Sequence, residues 1–155
     1  MSIRFSHVTL ITNDWRRLSQ FYINALDCEA FYPEINHSGS WVDKSTGVKS
    51  ARIRGVNLRL PGFESGKDGG PFLEILQYTP TKKGGKDCIN CAGSGQVAFE
   101  VDDVKQTAER VIKSGAKPIG EYENVFIPGI GTVRFQFFRD PDDNILQLLK
   151  WDRLK

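Results

Sequence analysis

Gly95-Gln96-Val97-Ala98-Phe99-Glu100-Val101-Asp102-Asp103-Val104 restates a pattern that the chain has already made at Ser6-His7-Val8-Thr9-Leu10-Ile11-Thr12-Asn13-Asp14-Trp15. His7 stands 89 positions before Gln96, and Asp14 keeps that offset from Asp103. Each stretch is a short alternating run that ends in Asn or Asp and opens a helical pattern. A period of about half the chain means two copies of one module, not a solenoid of many small repeats.

Working outward from the first copy, Phe5–Ile11 alternates strictly, with Ser6, Val8 and Leu10 on one face and Phe5, His7, Thr9 and Ile11 on the other. Asn13 or Asp14 supplies a helix cap, and Trp15, Leu18, Phe21, Tyr22, Ala25 and Leu26 recur at helical spacing until about Asp27. Cys28–Tyr32 reads as a strand closed by Pro33, and Glu34–Gly47 as a polar loop or short helical insertion. Val48–Ile53 and Val56–Leu60 read as two strands broken by Gly55, and Phe72–Tyr78 as a last strand after a glycine-rich turn region. On that strand Glu74, Leu76 and Tyr78 share one face, and Leu73 and Ile75 the other.

The second copy repeats the plan. Gln96–Val101 is a strand and Asp102 or Asp103 the cap. Val104, Ala108, Val111 and Ile112 form the helix stripe expected to be buried, and Gly115 closes the helix. Lys117–Gly120 and a loosely patterned Glu121–Ile127 follow, Thr132–Phe138 is a strand, and Asp140-Pro141-Asp142-Asp143-Asn144 turns into Ile145–Trp151. The expected boundaries are modules 1–80 and 94–155, joined by an unpatterned linker 81–93.

Composition narrows the class. With 155 residues, 39% of them hydrophobic and 26% charged, the chain suits one globular domain with a sizeable core. A formal charge of +2 spread along the chain gives no footprint for nucleic acid or a membrane surface. No apolar run approaches the ~18 residues of a membrane span. Three cysteines make no disulfide framework, so a cytoplasmic location is the expectation.

Ser6-His7-Val8 through Phe21-Tyr22, Phe72-Leu73-Glu74-Ile75, Val97-Ala98-Phe99-Glu100-Val101-Asp102-Asp103 and Phe138-Arg139-Asp140-Pro141-Asp142-Asp143-Asn144-Ile145-Leu146-Gln147-Leu148 together resemble the vicinal oxygen chelate superfamily. That group includes glyoxalase I, methylmalonyl-CoA epimerase, extradiol dioxygenases and the bleomycin and fosfomycin resistance proteins. The resemblance implies an α+β protein of two tandem βαβββ modules, forming a curved, cup-shaped mixed sheet with helices outside. It implies that the first and last strand of each module point one metal ligand into the cup, at His7, Glu74, Gln96 and Gln147. Alternation by itself puts these four on the face opposite the one their helix covers.

The departures carry chemistry. Glyoxalase-like members usually have His at the position of Gln96 and Glu at that of Gln147. An amide oxygen can bind a hard cation but brings no charge, so a divalent ion (Zn, Ni, Mn, Co or Fe) is expected to be weakly bound or absent. Gln147 cannot accept a proton, which leaves Glu74 as the catalytic base for removing a proton next to a carbonyl. Extradiol chemistry wants two imidazoles and a carboxylate on iron, and only His7 and Glu74 match.

The leading expectation is a glyoxalase-like lyase or epimerase-like isomerase acting on a small carbonyl or thioester substrate through metal-stabilised enediolate chemistry. The alternative is a metal-free small-molecule binding or resistance protein of the bleomycin-resistance type, suggested by the two missing ligands and the supply of aromatic residues. Gln96 and Gln147 are read either as weak ligands or as polar residues hydrogen-bonding each other across the cup. A degenerate dimerisation partner is the third, and a homodimer is expected in any case. Arg52, Arg54 and Arg59 are read as an anion clamp or an exposed strand face. Trp41, Tyr78, Phe135, Phe137 and Trp151 are read as cup lining or core. His37 is read as surface or lid, and Cys88-x-x-Cys91 as half a metal or redox motif.

Overall fold

The computed structural model describes residues 5–63, 70–82, 89–90 and 95–154. Among them are three helices and eight strands, in two compact units, Met1–Lys83 and Gly84–Lys155. No helix among the described residues is long and apolar enough to cross a membrane. Cys88 and Cys91 lie outside the described residues.

The first unit runs β1 (His7–Ile11), α1 (Trp15–Leu26), β2 (Glu29–Ser38), α2 (Ser40–Thr46), β3 (Arg52–Arg59) and β4 (Phe72–Thr79). Its sheet has the order β1-β4-β3-β2, with β1 parallel to β4 and the other pairs antiparallel. Asp14 is the cap of α1, its carboxylate accepting from the Arg17 N–H at 3.1 Å, and Asp27 ends the helix at φ 54°. The apolar spacing of α1 buries all six stripe residues, Trp15, Leu18, Phe21, Tyr22, Ala25 and Leu26. The helix packs on β3 and β4, where Val56, Leu58, Leu73 and Ile75 face it and are at most 2% exposed. Each large side chain buried this way contributes about 1.5–3 kcal/mol.

The second unit runs β5 (Gln96–Glu100), α3 (Val104–Lys113), β6 (Lys117–Ile127), β7 (Gly131–Arg139) and β8 (Ile145–Arg153). Its strand order, β5-β8-β7-β6, and the parallel β5–β8 pair copy the first unit. The copy extends to single bonds. Thr12 donates to the Leu76 carbonyl and Val101 to that of Leu149, both at 2.9 Å. Asp103 caps α3 as Asp14 caps α1, accepting from the Gln106 N–H at 3.0 Å.

Several boundaries differ from the sequence reading. β3 is one strand, not two, and Gly55 sits inside it in an unbroken ladder from Arg52–Thr79 to Arg59–Phe72. A Cβ there would run into the carbonyl oxygen of Ile75, so this glycine serves close strand approach, not a break. β2 does not end at Pro33. It continues to Ser38 through an irregularity between Phe31 and Ile35, where the missing N–H of Pro33 costs no ladder bond. The rest of the supposed loop is α2, which closes an apolar cluster of Val42, Ala51, Ile53 and Leu76. Ile112 is 44% exposed, not buried, because it lies about 80° around the helix from Val104, off the stripe that Val104, Ala108 and Val111 bury.

Cys28 closes the core beneath α1, and burial pushes its thiol up from 9.0 to about 12, with the Asp27 carboxylate adding to the effect. A thiol held protonated is a poor nucleophile. With Cys88 and Cys91 replaced by serine, the folded chain is expected to show no thiol reactive toward a chromogenic disulfide at neutral pH until denaturant is added. Because the unfolded thiol ionises first, its contribution to stability is intact below about pH 9 and lost as the pH rises toward 12.

Candidate functional site

In the first unit, pairing sets His7 against Phe72 and Thr9 against Glu74, while β3 sets Asn57 against Glu74 and β2 sets Phe31 against Asn57. Thr9, Glu74, Asn57 and Phe31 therefore form one row across four strands, on the face opposite α1. His7 and Phe72 stand in the next row. His7 Nε2 lies 3.8 Å from Glu74 Oε2, with the imidazole side chain 38% exposed and the carboxylate side chain 16%. Ser6 Oγ is 2.9 Å from His7 Nδ1, a hydrogen bond that either imidazole tautomer can make. The His7 ring stacks on Phe72 at 4.8 Å, and Phe31 meets Phe72 edge-on at 5.5 Å. Across the ladder from Glu74, Asn57 Oδ1 is buried and has no hydrogen-bond partner among the described residues.

The second unit repeats the placement with different chemistry. Gln96 pairs with Ile145 and Ala98 with Gln147, so Gln147 stands to Gln96 as Glu74 stands to His7. Gln96 Nε2 donates to Gln147 Oε1 at 2.8 Å. Beside Gln147 the face is apolar, with Phe137 directly opposite it, Phe135 opposite Leu149, and the two phenyl rings 5.7 Å apart.

The sequence candidates thus come together in two pairs, His7 with Glu74 and Gln96 with Gln147, each within its own unit. The arginines do not form a clamp. Continuous alternation along β3 turns Arg59 to the open face, over the Phe31 ring at 5.5 Å, and Arg52 and Arg54 to the other. Arg54 lines an open pocket with Trp15, Arg16, Glu34, Ile35 and Asn36, where Glu34 already neutralises Arg16 at 3.7 Å. His37 and Trp41 meet edge-on at 5.2 Å, with Trp41 57% exposed, and Tyr78 packs on the α2 cluster. Trp151, paired with Val133, lies beneath the Arg153 guanidinium at 5.4 Å.

No group of three or more His, Cys, Asp or Glu able to hold a metal ion exists among the described residues. His7 and Glu74 nevertheless suit one as a two-donor set. An imidazole nitrogen and a carboxylate oxygen are close enough to turn toward a shared cation. The second imidazole nitrogen is held by Ser6, the kind of outer contact that orients a metal-bound histidine.

A family model described as the Glyoxalase/Bleomycin resistance protein/Dioxygenase superfamily matches residues 4–148. Among solved structures, a glyoxalase family protein from Bacillus cereus is 20% identical, with a TM-score of 0.78 over 100% of this chain and 97% of that one. A mutant glyoxalase I from Zea mays is 22% identical at a TM-score of 0.64, over 94% of this chain and 45% of that one. A mutant of the fosfomycin resistance protein FosX from Listeria monocytogenes, complexed with Mn(II) and 1S,2S-dihydroxypropylphosphonic acid, is 18% identical at a TM-score of 0.56, over 96% and 90% of the two chains. No curated protein matches. At these identities the likeness to solved structures is one of fold. With a match spanning nearly the whole chain, and the same strand plan repeated in both units, the chain belongs to the glyoxalase/bleomycin resistance protein/dioxygenase superfamily.

Proposed function

We propose that the chain is a glyoxalase-type enzyme acting on a small carbonyl or thioester substrate, with His7 and Glu74 as principal ligands of a weakly held divalent ion. The observation that carries this is the 3.8 Å approach of His7 Nε2 to Glu74 Oε2 on the open face of the first sheet. Mn(II) in a structure of the related fold supports the choice of a divalent ion. Such an ion would supply Lewis acidity toward a carbonyl oxygen. Glu74 would be the base, its carboxylate taking the proton next to that carbonyl. Ser6 holds the imidazole in place, and Phe72 and Phe31 keep water from the carboxylate. The protein is further taken to be a cytoplasmic homodimer, which sedimentation and cell fractionation test.

Isothermal titration of the chelator-stripped protein with Mn(II), Ni(II) and Zn(II) decides the central point. One ion per chain is expected for the wild type, with affinity at least about tenfold weaker in Glu74→Gln. Absence of binding at millimolar ion overturns the proposal.

The Gln96–Gln147 hydrogen bond favours a second reading, a metal-free receptor for a small aromatic compound resting on Phe135, Phe137 and Leu149. Ligand binding unchanged by EDTA would support it, and metal-dependent turnover would sink it.

A further inference from the structure

We infer that Asn57 is a third protein donor to the divalent ion, so that His7, Glu74 and Asn57 form a site complete within the first unit. This deepens the assignment of His7 and Glu74 as ion ligands and rests on it. Asn57 stands directly across the β3–β4 ladder from Glu74, and side chains paired in this way have Cβ atoms about 4.5–5.5 Å apart. Its neighbours Val56 and Leu58, 2% and 0% exposed, fill the core on the far side and turn the carboxamide to the Glu74 face.

The oxygen at its end is the informative atom. Oδ1 is buried with no hydrogen-bond partner among the described residues, and a buried carbonyl left so is costly to the fold. Its surroundings on that face cannot satisfy it. Phe31 and Phe72 have nothing to donate, a carboxylate at Glu74 only accepts, Thr9 lies across β4 from it, and Arg59, the cation on this face, is laid over the Phe31 ring and makes no bond to it. Two oxygen acceptors side by side, with an imidazole nitrogen in the next row, present lone pairs to a common point. A cation completes such a set where a further acceptor would be repelled. One nitrogen and two oxygens suit Mn(II), Fe(II), Ni(II) or Zn(II). The carboxamide supplies an oxygen without charge, consistent with weak binding.

Titration of the full-length, chelator-stripped protein with Mn(II) and Ni(II) tests this through three variants. Asn57→Leu is expected to weaken binding about tenfold, and Asn57→Asp, which adds a charge at the same oxygen, to tighten it about tenfold. Gln96→Leu is expected to leave the affinity unchanged. Tightening by Asn57→Asp cannot come from a damaged fold, so it stands even if the leucine variant unfolds. Affinity that is unchanged in Asn57→Leu but lost in Glu74→Gln overturns the role of Asn57 and leaves His7 and Glu74 as ligands. Weaker or unchanged binding in Asn57→Asp overturns it too, and loss in Gln96→Leu overturns a site confined to the first unit. Absence of binding in the wild type removes both proposals together.

Discussion

Replacing Gly55 by valine is expected to lower the stability of the chain by at least about 3 kcal/mol. Gly55 lies midway along β3, between Leu76 of β4 and Ile35 of β2. A Cβ built there would collide with the Ile75 carbonyl oxygen and come within 2.8 Å of a Leu76 methyl carbon. The methyl can swing away, but the carbonyl is backbone. β3 is an interior strand, so it cannot retreat from β4 without disturbing its ladder with β2. The damage would also separate Asn57 from Glu74, two residues further along the same pairing. A urea unfolding curve with an unchanged midpoint would show that the strands are not this close.

Asp140→Ala should follow, at about 3 kcal/mol. Asp140 is 3% exposed and organises the turn from β7 to β8. Its carboxylate accepts from the backbone N–H of Asp142 at 2.9 Å, the backbone N–H of Asn144 at 3.0 Å and the Asn144 side-chain amide at 2.8 Å. Hydrogen bonds to a charged acceptor are the stronger kind, and alanine leaves all three donors to find other partners. Asp143 is held at φ 68° in the middle of this turn, a strained position for a residue with a side chain. Asp140→Asn should recover part of the loss, since one carbonyl oxygen remains to accept. Thermal unfolding of both variants checks the order, and equal melting of alanine and wild type would remove the turn from the list of determinants.

Much of this fold was legible because its two halves share a pattern. The alternation at His7 and Gln96, and the 89-residue offset that the helix caps Asp14 and Asp103 share with them, give the module. Glu74 was legible for a different reason, being a carboxylate between Leu73 and Ile75, which turn to the core. Asn57 carries the same signal, a polar residue between Val56 and Leu58. It went unread because a carboxamide on a strand is ordinary and its orphaned oxygen shows only in three dimensions.

Arg52, Arg54 and Arg59 were misjoined because a break at Gly55 resets the count of alternation. On one unbroken strand, Arg59 stands five positions after Arg54, an odd number, which puts them on opposite faces. The outer half of β2 was hidden for another reason. Glu34, Asn36, His37 and Ser38 are all exposed on an edge strand, so no apolar period marks them.

The irregularities in the two outermost strands have a consequence for how this architecture tolerates insertion. From Phe31 to Ile35 the chain advances four residues while its partner moves two, from Asn57 to Gly55. β6 does the same, advancing from Ile119 to Glu123 against Phe137 to Phe135. Each detour adds an even number of residues, and side chains alternate with period two, so parity survives the bend. Phe31 and Ile35 still point the same way. An odd insertion at either place would exchange inside for outside along the remainder of the strand. Lengthening by pairs is the neutral direction in which these outer strands can drift or be engineered.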